Sequence, residues 1–162
     1  VLTLLAPVSG VVVPLERVPD PVFAQRLAGD GVSIDPLGDT IVAPCDARVL
    51  QVHRAGHAVT LGVAGLELVI HVGLDTVQLR GDGFTPLVQA GAHVRAGTPL
   101  LRFDVDCVAR RARSLLTEVV VSTMEGVAAL RPRAGVVTAG RDVLLEIELA
   151  APTAPGRAPG PE

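Results

Sequence analysis

The chain has 162 residues, 14 basic and 17 acidic, for a formal net charge of −3, and 49% of it is hydrophobic with three Phe and no Tyr or Trp. That length allows one domain with a core of Val, Leu and Ala, and the charge excludes the basic footprint of a nucleic-acid binder. No apolar run approaches the ~18 residues of a membrane span, and Val1–Ala6 lacks the basic start and full apolar stretch of a secretory signal.

Residues 2–18 read as strand, interrupted at Pro7 and at Ser9-Gly10, with β-branched Val11-Val12-Val13 stopping at Pro14. A short helix is expected over Asp20–Leu27, with Asp20 as N-cap and Pro21 at the first helical position. Gly29-Asp30-Gly31 ends it. Strands follow over 32–36, 39–44 and 48–52, and again over 100–103, 119–122 and 143–149. A second helix is expected over 105–116. Val105, Val108, Ala109, Ala112, Leu115 and Leu116 form its apolar stripe, Asp104 is its cap, and Arg110, Arg111 and Arg113 are its solvated face. Cys45 and Cys107 are far apart and outside any CxxC motif, so they read as reduced thiols in a cytoplasmic protein.

Two weak internal repeats suggest a β-sandwich or barrel of two similar halves. Residues 6–12 resemble 43–49, and Ala90–Leu101 resembles Ala134–Leu145. Residues 1–150 form the expected domain. Residues 151–162 hold four Pro and two Gly and read as a linker or disordered tail.

Gly56–Gly73 reads as two apolar strands joined by a tight turn. Taking Val63-Ala64-Gly65 as a three-residue loop, with Gly65 at the position that needs positive φ, sets Val59 opposite Val69 and His57 opposite His71. Directly opposed residues share a face, so two imidazoles would stand side by side. A one-residue slip would put them on opposite faces.

A neutral imidazole is a good nucleophile near neutral pH, provided the protein fixes which nitrogen is free. Gly73, two residues past His71, lets the backbone come close enough to do so. A second imidazole can donate to a phosphoryl oxygen and offset developing charge. Zinc bridging His57 and His71 is an alternative, but zinc wants three or four ligands and no HxH, Hx3H or HExxH motif is present, so no metal or other cofactor is expected. His53 and His93 lack such a setting and read as structural or exposed.

The run Glu67-Leu68-Val69-Ile70-His71-Val72-Gly73-Leu74-Asp75-Thr76-Val77, with Gly56-His57-Ala58-Val59 before it, resembles the glucose-type enzyme IIA of the bacterial phosphoenolpyruvate-dependent sugar phosphotransferase system. Val18-Pro19-Asp20-Pro21-Val22-Phe23-Ala24, Gly81-Asp82-Gly83-Phe84 and Leu116–Met124 extend the similarity over residues 4 to about 148. The resemblance implies an all-β, mostly antiparallel sandwich of the duplicated hybrid motif type with short peripheral helices. It implies a phosphotransferase component with a phosphohistidine intermediate. His71 would accept a phosphoryl group from phospho-HPr on Nε2 and pass it to a cysteine of enzyme IIB during sugar uptake. His57 would stabilise the phosphoryl group, the backbone near Gly73 would set the His71 tautomer, and Phe23, Asp20, Asp75 and Val72 would meet the partner proteins. Relatives usually carry a Thr two residues before the first histidine, where this chain has Ala55.

Two other readings use the same residues. One is a regulatory module whose partners depend on the phosphorylation state of His71. The other is a zinc peptidase on a related duplicated fold, which would need further ligands near His71. The Pro-rich segment suggests fusion to later components, with HPr and enzyme I as the expected partners on the same polypeptide.

Overall fold

The computed structural model describes residues 1–152, so the expectation for residues 153–162 lies outside the described residues. The strands, in chain order, are β1 (Leu2–Leu5), β2 (Gly10–Pro14), β3 (Asp30–Pro36), β4 (Thr40–Val42), β5 (Ala47–Val52), β6 (Ala58–Val63), β7 (Leu66–Leu74), β8 (Phe84–Pro86), β9 (His93–Val94), β10 (Pro99–Phe103), β11 (Ser114–Val121), β12 (Val127–Pro132), β13 (Val136–Val137) and β14 (Val143–Leu149). Two short helices, α1 (Pro21–Ala24) and α2 (Val105–Arg111), lie between them. An eight-stranded sheet runs β13-β2-β3-β11-β7-β6-β5-β9, and two three-stranded sheets run β1-β14-β12 and β4-β10-β8. Every pairing is antiparallel. The expected all-β sandwich with small peripheral helices is therefore what the chain forms.

The large sheet has one dry face. Val32, Ile34, Val59, Leu61, Leu68, Ile70, Val72, Val119 and Val121 point inward and pack against Ile41, Leu100, Leu101, Leu144, Leu145 and Ile147 of the smaller sheets. Alternation along the strands sends Val69, His71, Glu118 and Val120 to the other face. There the segment containing α1 covers part of the sheet. Leu15, Val18 and Phe23 pack on Leu74 and Val120 in a second, smaller cluster. α1 begins where the sequence places it, because the Asp20 carboxylate accepts from the Val22 N–H at 2.9 Å.

The weak repeats meet in space. Leu5 N–H donates to Pro44 O, and Val42 N–H donates to Pro7 O, both at 2.8 Å. Ala6 N–H donates to Asp142 O while Ala6 O accepts from Gly140 N–H; Ala43 does the same with Thr98 and Gly97, again at 2.8 Å. Equivalent stretches thus make equivalent bonds, which is the signature of two similar halves packed against each other.

Three expectations need correction. The first helix is a single turn that stops at Ala24, and residues 25–28 continue as turns. The second helix stops at Arg111, because β11 claims the chain from Ser114; Leu115 and Leu116 belong to that strand instead of the helix stripe. The Asp104 cap holds, accepting from Cys107 N–H at 2.9 Å. The β6–β7 hairpin turns on two residues, Ala64 and Gly65, with φ of 51° and 76°. Positive φ at both positions matches the twist of the flanking strands, and Ala64 accepts that conformation. The pairing is consequently Val59 with Ile70 and Ala58 with His71, one residue off the expected register.

Candidate active site

His71 sits in the middle of β7 on the outer face of the large sheet, and Gly73 sets where that strand ends. Gly73 has φ +78°, and a Cβ there would lie 2.5 Å from Thr76 Cγ2 and 2.8 Å from Ser114 O. Only glycine fits both the conformation and the space. The chain then turns into a short 3₁₀ segment at Thr76–Leu79, pinned by the Thr76 hydroxyl donating to Val72 O at 2.6 Å.

Given the shifted register, His57 is not the residue opposite His71, yet the two rings meet. His57 precedes β6 and follows Gly56, whose φ is +76°. Its carbonyl still accepts from Val72 N–H at 2.8 Å, but strict alternation of side chains no longer binds it. The residue opposite His71 is Ala58, and beyond Ala58 the ladder continues to His53, whose N–H donates to Ala58 O at 2.9 Å. Ala58 is small, so the space above it admits the His57 ring. The His57 ring centroid lies 4.8 Å from that of His71, at 81°, and 4.3 Å from that of His53, at 56°. Phe23 closes the other side of His71, centroid to centroid 5.2 Å, and Phe84 lies 6.2 Å from His57.

Two adjoining depressions, of about 310 and 370 Å³, meet at Val69, His71 and Val77. The first is walled by Val22, Phe23 and Val120 with Asp20 and Asp75 at its edge; the second holds His53 and His57. A larger hollow of about 580 Å³ around Asp39, Arg102 and Asp106 touches this region only through Phe84 and contains no histidine. The paired histidine rings line the smaller pair. Val22 and Val77 are about half exposed, so the rim offers apolar surface beside the rings.

Both rings are held neutral. Burial lowers the His71 pKa, and His53 lowers it further, while the Gly73 backbone and Asp20 oppose the shift. Burial first, then His71 and His53, push His57 down to about 4. Nδ1 of each ring is buried, that of His57 without a hydrogen-bond partner. Each ring thus meets the open depression by its Nε2 edge. A neutral imidazole with Nε2 outward is a nucleophile, and a neighbouring imidazole 4.8 Å away is placed to touch whatever Nε2 acquires.

The structure brings His71, His57, Gly73, Phe23, Asp20 and Asp75 to one place. Val72 is the exception and a correction. It points to the inner face, is completely buried in the main core, and offers nothing to a partner. His53, read from sequence as structural or exposed, is half-buried against His57; His93 is exposed, paired with Arg48 on the far strands. Glu118 went unnoticed in the sequence, although it is the sole acid in an apolar strand run. It is fully buried, directly opposite His71. Cys45 is a buried thiol raised to about 11 by burial and by Asp46, so it is unreactive. Among the described residues no group of three or more His, Cys, Asp or Glu side chains is arranged to hold a metal ion, and no helix is long and apolar enough to cross a membrane.

The model of the phosphoenolpyruvate-dependent sugar phosphotransferase system EIIA 1 family matches residues 2–127. A glucose-specific EIIA component of Haemophilus influenzae is 38% identical over 146 residues, covering 90% of this chain and 88% of the relative. A mannose-specific EIIBCA component of Corynebacterium glutamicum is 48% identical over 123 residues, covering 75% of this chain but only 18% of that much longer relative. Among solved structures, glucose permease IIA from Mycoplasma capricolum superposes with a TM-score of 0.84 at 32% identity, covering 89% of this chain and 94% of the other. Family match, sequence relatives and backbone agree with the paired neutral rings on the sheet, and the chain belongs to the EIIA 1 family of the sugar phosphotransferase system.

Proposed function

We propose that this domain is a phosphocarrier in sugar uptake. His71 takes a phosphoryl group from phospho-HPr and hands it to a cysteine of enzyme IIB. In the first step the Nε2 lone pair attacks phosphorus, the Nε2–P bond forms and the donor's N–P bond breaks. In the second the cysteine thiolate attacks, S–P forms and Nε2–P breaks, leaving His71 neutral as before. His57 donates from Nε2–H to a phosphoryl oxygen. Phe23, with Val22 and Val77 around it, is the surface both partners cover, keeping water from the phosphoramidate. Asp20 and Asp75 at the rim suit basic side chains on the partner.

The observation that carries this reading is the position of the His71 ring, between Phe23 and His57, at the junction of two shallow depressions. A phosphocarrier needs an accessible nitrogen and two successive macromolecular partners, and a shallow apolar dish supplies both. On this reading the domain works in the cytoplasm. The multi-component EIIBCA relatives support a domain that works beside others on one polypeptide.

Labelled phosphoenolpyruvate with enzyme I and HPr tests the proposal. The wild type takes up label and His71→Ala does not. His57→Gln accepts label from phospho-HPr but passes it to enzyme IIB slowly. Label on the His71→Ala protein overturns the assignment.

A further inference from the structure

One histidine at the site has no task in that mechanism. His53 follows β5 directly, and three hydrogen bonds hold it. Its N–H donates to Ala58 O at 2.9 Å, its carbonyl accepts from Gly56 N–H at 2.7 Å, and its ring Nδ1 accepts from Ala55 N–H at 3.1 Å. The last bond decides the tautomer. An N–H aimed at Nδ1 requires a lone pair there, so the neutral ring carries its proton on Nε2. His53 is thereby a donor whose orientation the local turn has already set.

The neighbouring ring lacks what His53 offers. His57 is 2% exposed, and its Nδ1 is buried with no partner. A buried nitrogen left so keeps the whole penalty of losing its water. The two ring centroids are 4.3 Å apart and the planes tilt by 56°. At that separation the two rings are in contact, close enough for a nitrogen of one to bond a nitrogen of the other. The tautomer of His57 also matters chemically. A ring that presents a lone pair to an anionic phosphoryl oxygen repels it, while one that presents N–H holds it.

We propose that His53 is a positioning residue for His57: its Nε2–H donates to His57 Nδ1 and so keeps the His57 proton on Nε2, facing His71. The result is a one-way chain of hydrogen bonds. Ala55 N–H donates to the first ring, the first ring to the second, and the second to the group carried by the third. No proton changes owner, and no bond is made or broken in the relay itself. Its effect on transfer rests on the phosphocarrier reading; the tautomer of His57 does not.

The test uses the whole chain labelled with ¹⁵N, and two-bond ¹H–¹⁵N spectra that separate Nδ1–H from Nε2–H rings. Wild type is compared with His53→Phe, which keeps a ring without a donor, and with His53→Asn. Asn still accepts from Ala55 N–H in an Asx turn, so it preserves the loop, but it is too short to reach His57. The expected result is Nε2–H His57 in the wild type and a mixture of tautomers in both variants. Transfer from phospho-His71 to enzyme IIB then falls roughly 10-fold in the variants, with uptake from phospho-HPr changed less than about twofold. Nδ1–H His57 in the wild type, or an unchanged Nε2–H ring in His53→Asn, overturns the proposal. If wild-type His71 takes no label while the tautomers behave as expected, it is the phosphocarrier reading that fails and the positioning role that stands.

Discussion

His71 and Glu118 are direct partners across β7 and β11, on the same face of the sheet, and both carboxyl oxygens of Glu118 are buried without a hydrogen-bond partner. Opposed residues hold their Cβ atoms about 4.5–5.5 Å apart. The sheet therefore sets a carboxyl beside the ring proposed to accept the phosphoryl group. Burial, and to a lesser degree Asp20, raise the Glu118 pKa from 4.5 to about 10, so the group is a neutral acid at neutral pH.

That shift makes stability depend on pH. The folded state keeps a proton that the unfolded chain gives up above 4.5, so the contribution is full below 4.5 and is lost as pH rises towards 10. The slope is at most about 1.4 kcal/mol per pH unit. Glu118→Gln keeps the shape and cannot ionise. Denaturant midpoints measured from about pH 5 to about pH 8 should fall for the wild type relative to Glu118→Gln, and the gap should widen with pH. Parallel curves would show that Glu118 is charged in the folded protein.

His57 acts in the opposite sense. Its folded pKa of about 4 lies below the ordinary 6.5, so the stability it contributes is present above 6.5 and lost as pH falls towards 4. His57→Gln should flatten the stability curve in that acid window and leave it unchanged above it. A ¹H NMR titration of the His57 ring in the wild type should show no protonation near 6.5.

Phe23 walls one side of His71. Its ring is 7% exposed and packs with Leu15, Val18, Leu74 and Val120. Phe23→Ala should cost about 3 kcal/mol, the low end for a buried phenyl ring. Burial is the first cause of the lowered His71 pKa, so opening that wall should move the ring's titration upward. Thermal unfolding and a histidine titration on one sample check both effects.

Gly73→Ala confronts a positive φ and two contacts shorter than any Cβ accepts. The strain of the left-handed backbone alone is about 1–2 kcal/mol. Relief requires Thr76 or the β11 backbone at Ser114 to shift, which displaces the neighbouring end of β7. The expected outcome is a protein at least 2 kcal/mol less stable, a rough figure from backbone strain, with phosphoryl uptake reduced more than in a surface control of equal stability.

Much of this was readable along the chain because the interactions concerned are local. The Asp20 and Asp104 caps bond to N–H groups two and three residues on, so residue type and spacing announce them. The run from His71 to Val77 and the need for glycine at 73 belong to one strand end. The alternation of β7 names its inner and outer faces, and by it Val72, which the resemblance sets against the partners, belongs to the core face opposite His71. Register was different. Both strands of the hairpin are apolar on either face, so hydrophobicity did not choose between neighbouring pairings, and the register was settled by a two-residue turn that holds Ala64 at positive φ against its own preference. Amino-acid order alone determined the fold class and the caps, and it singled out His71 as the proposed acceptor. Folding in three dimensions decided which side chains stand beside that histidine. Ala58 is opposite it, with His57 above the gap and His53 beyond, and Glu118 is across the next strand. Those neighbours come from segments distant in sequence, and only sheet pairing and the space left by a small residue bring them together.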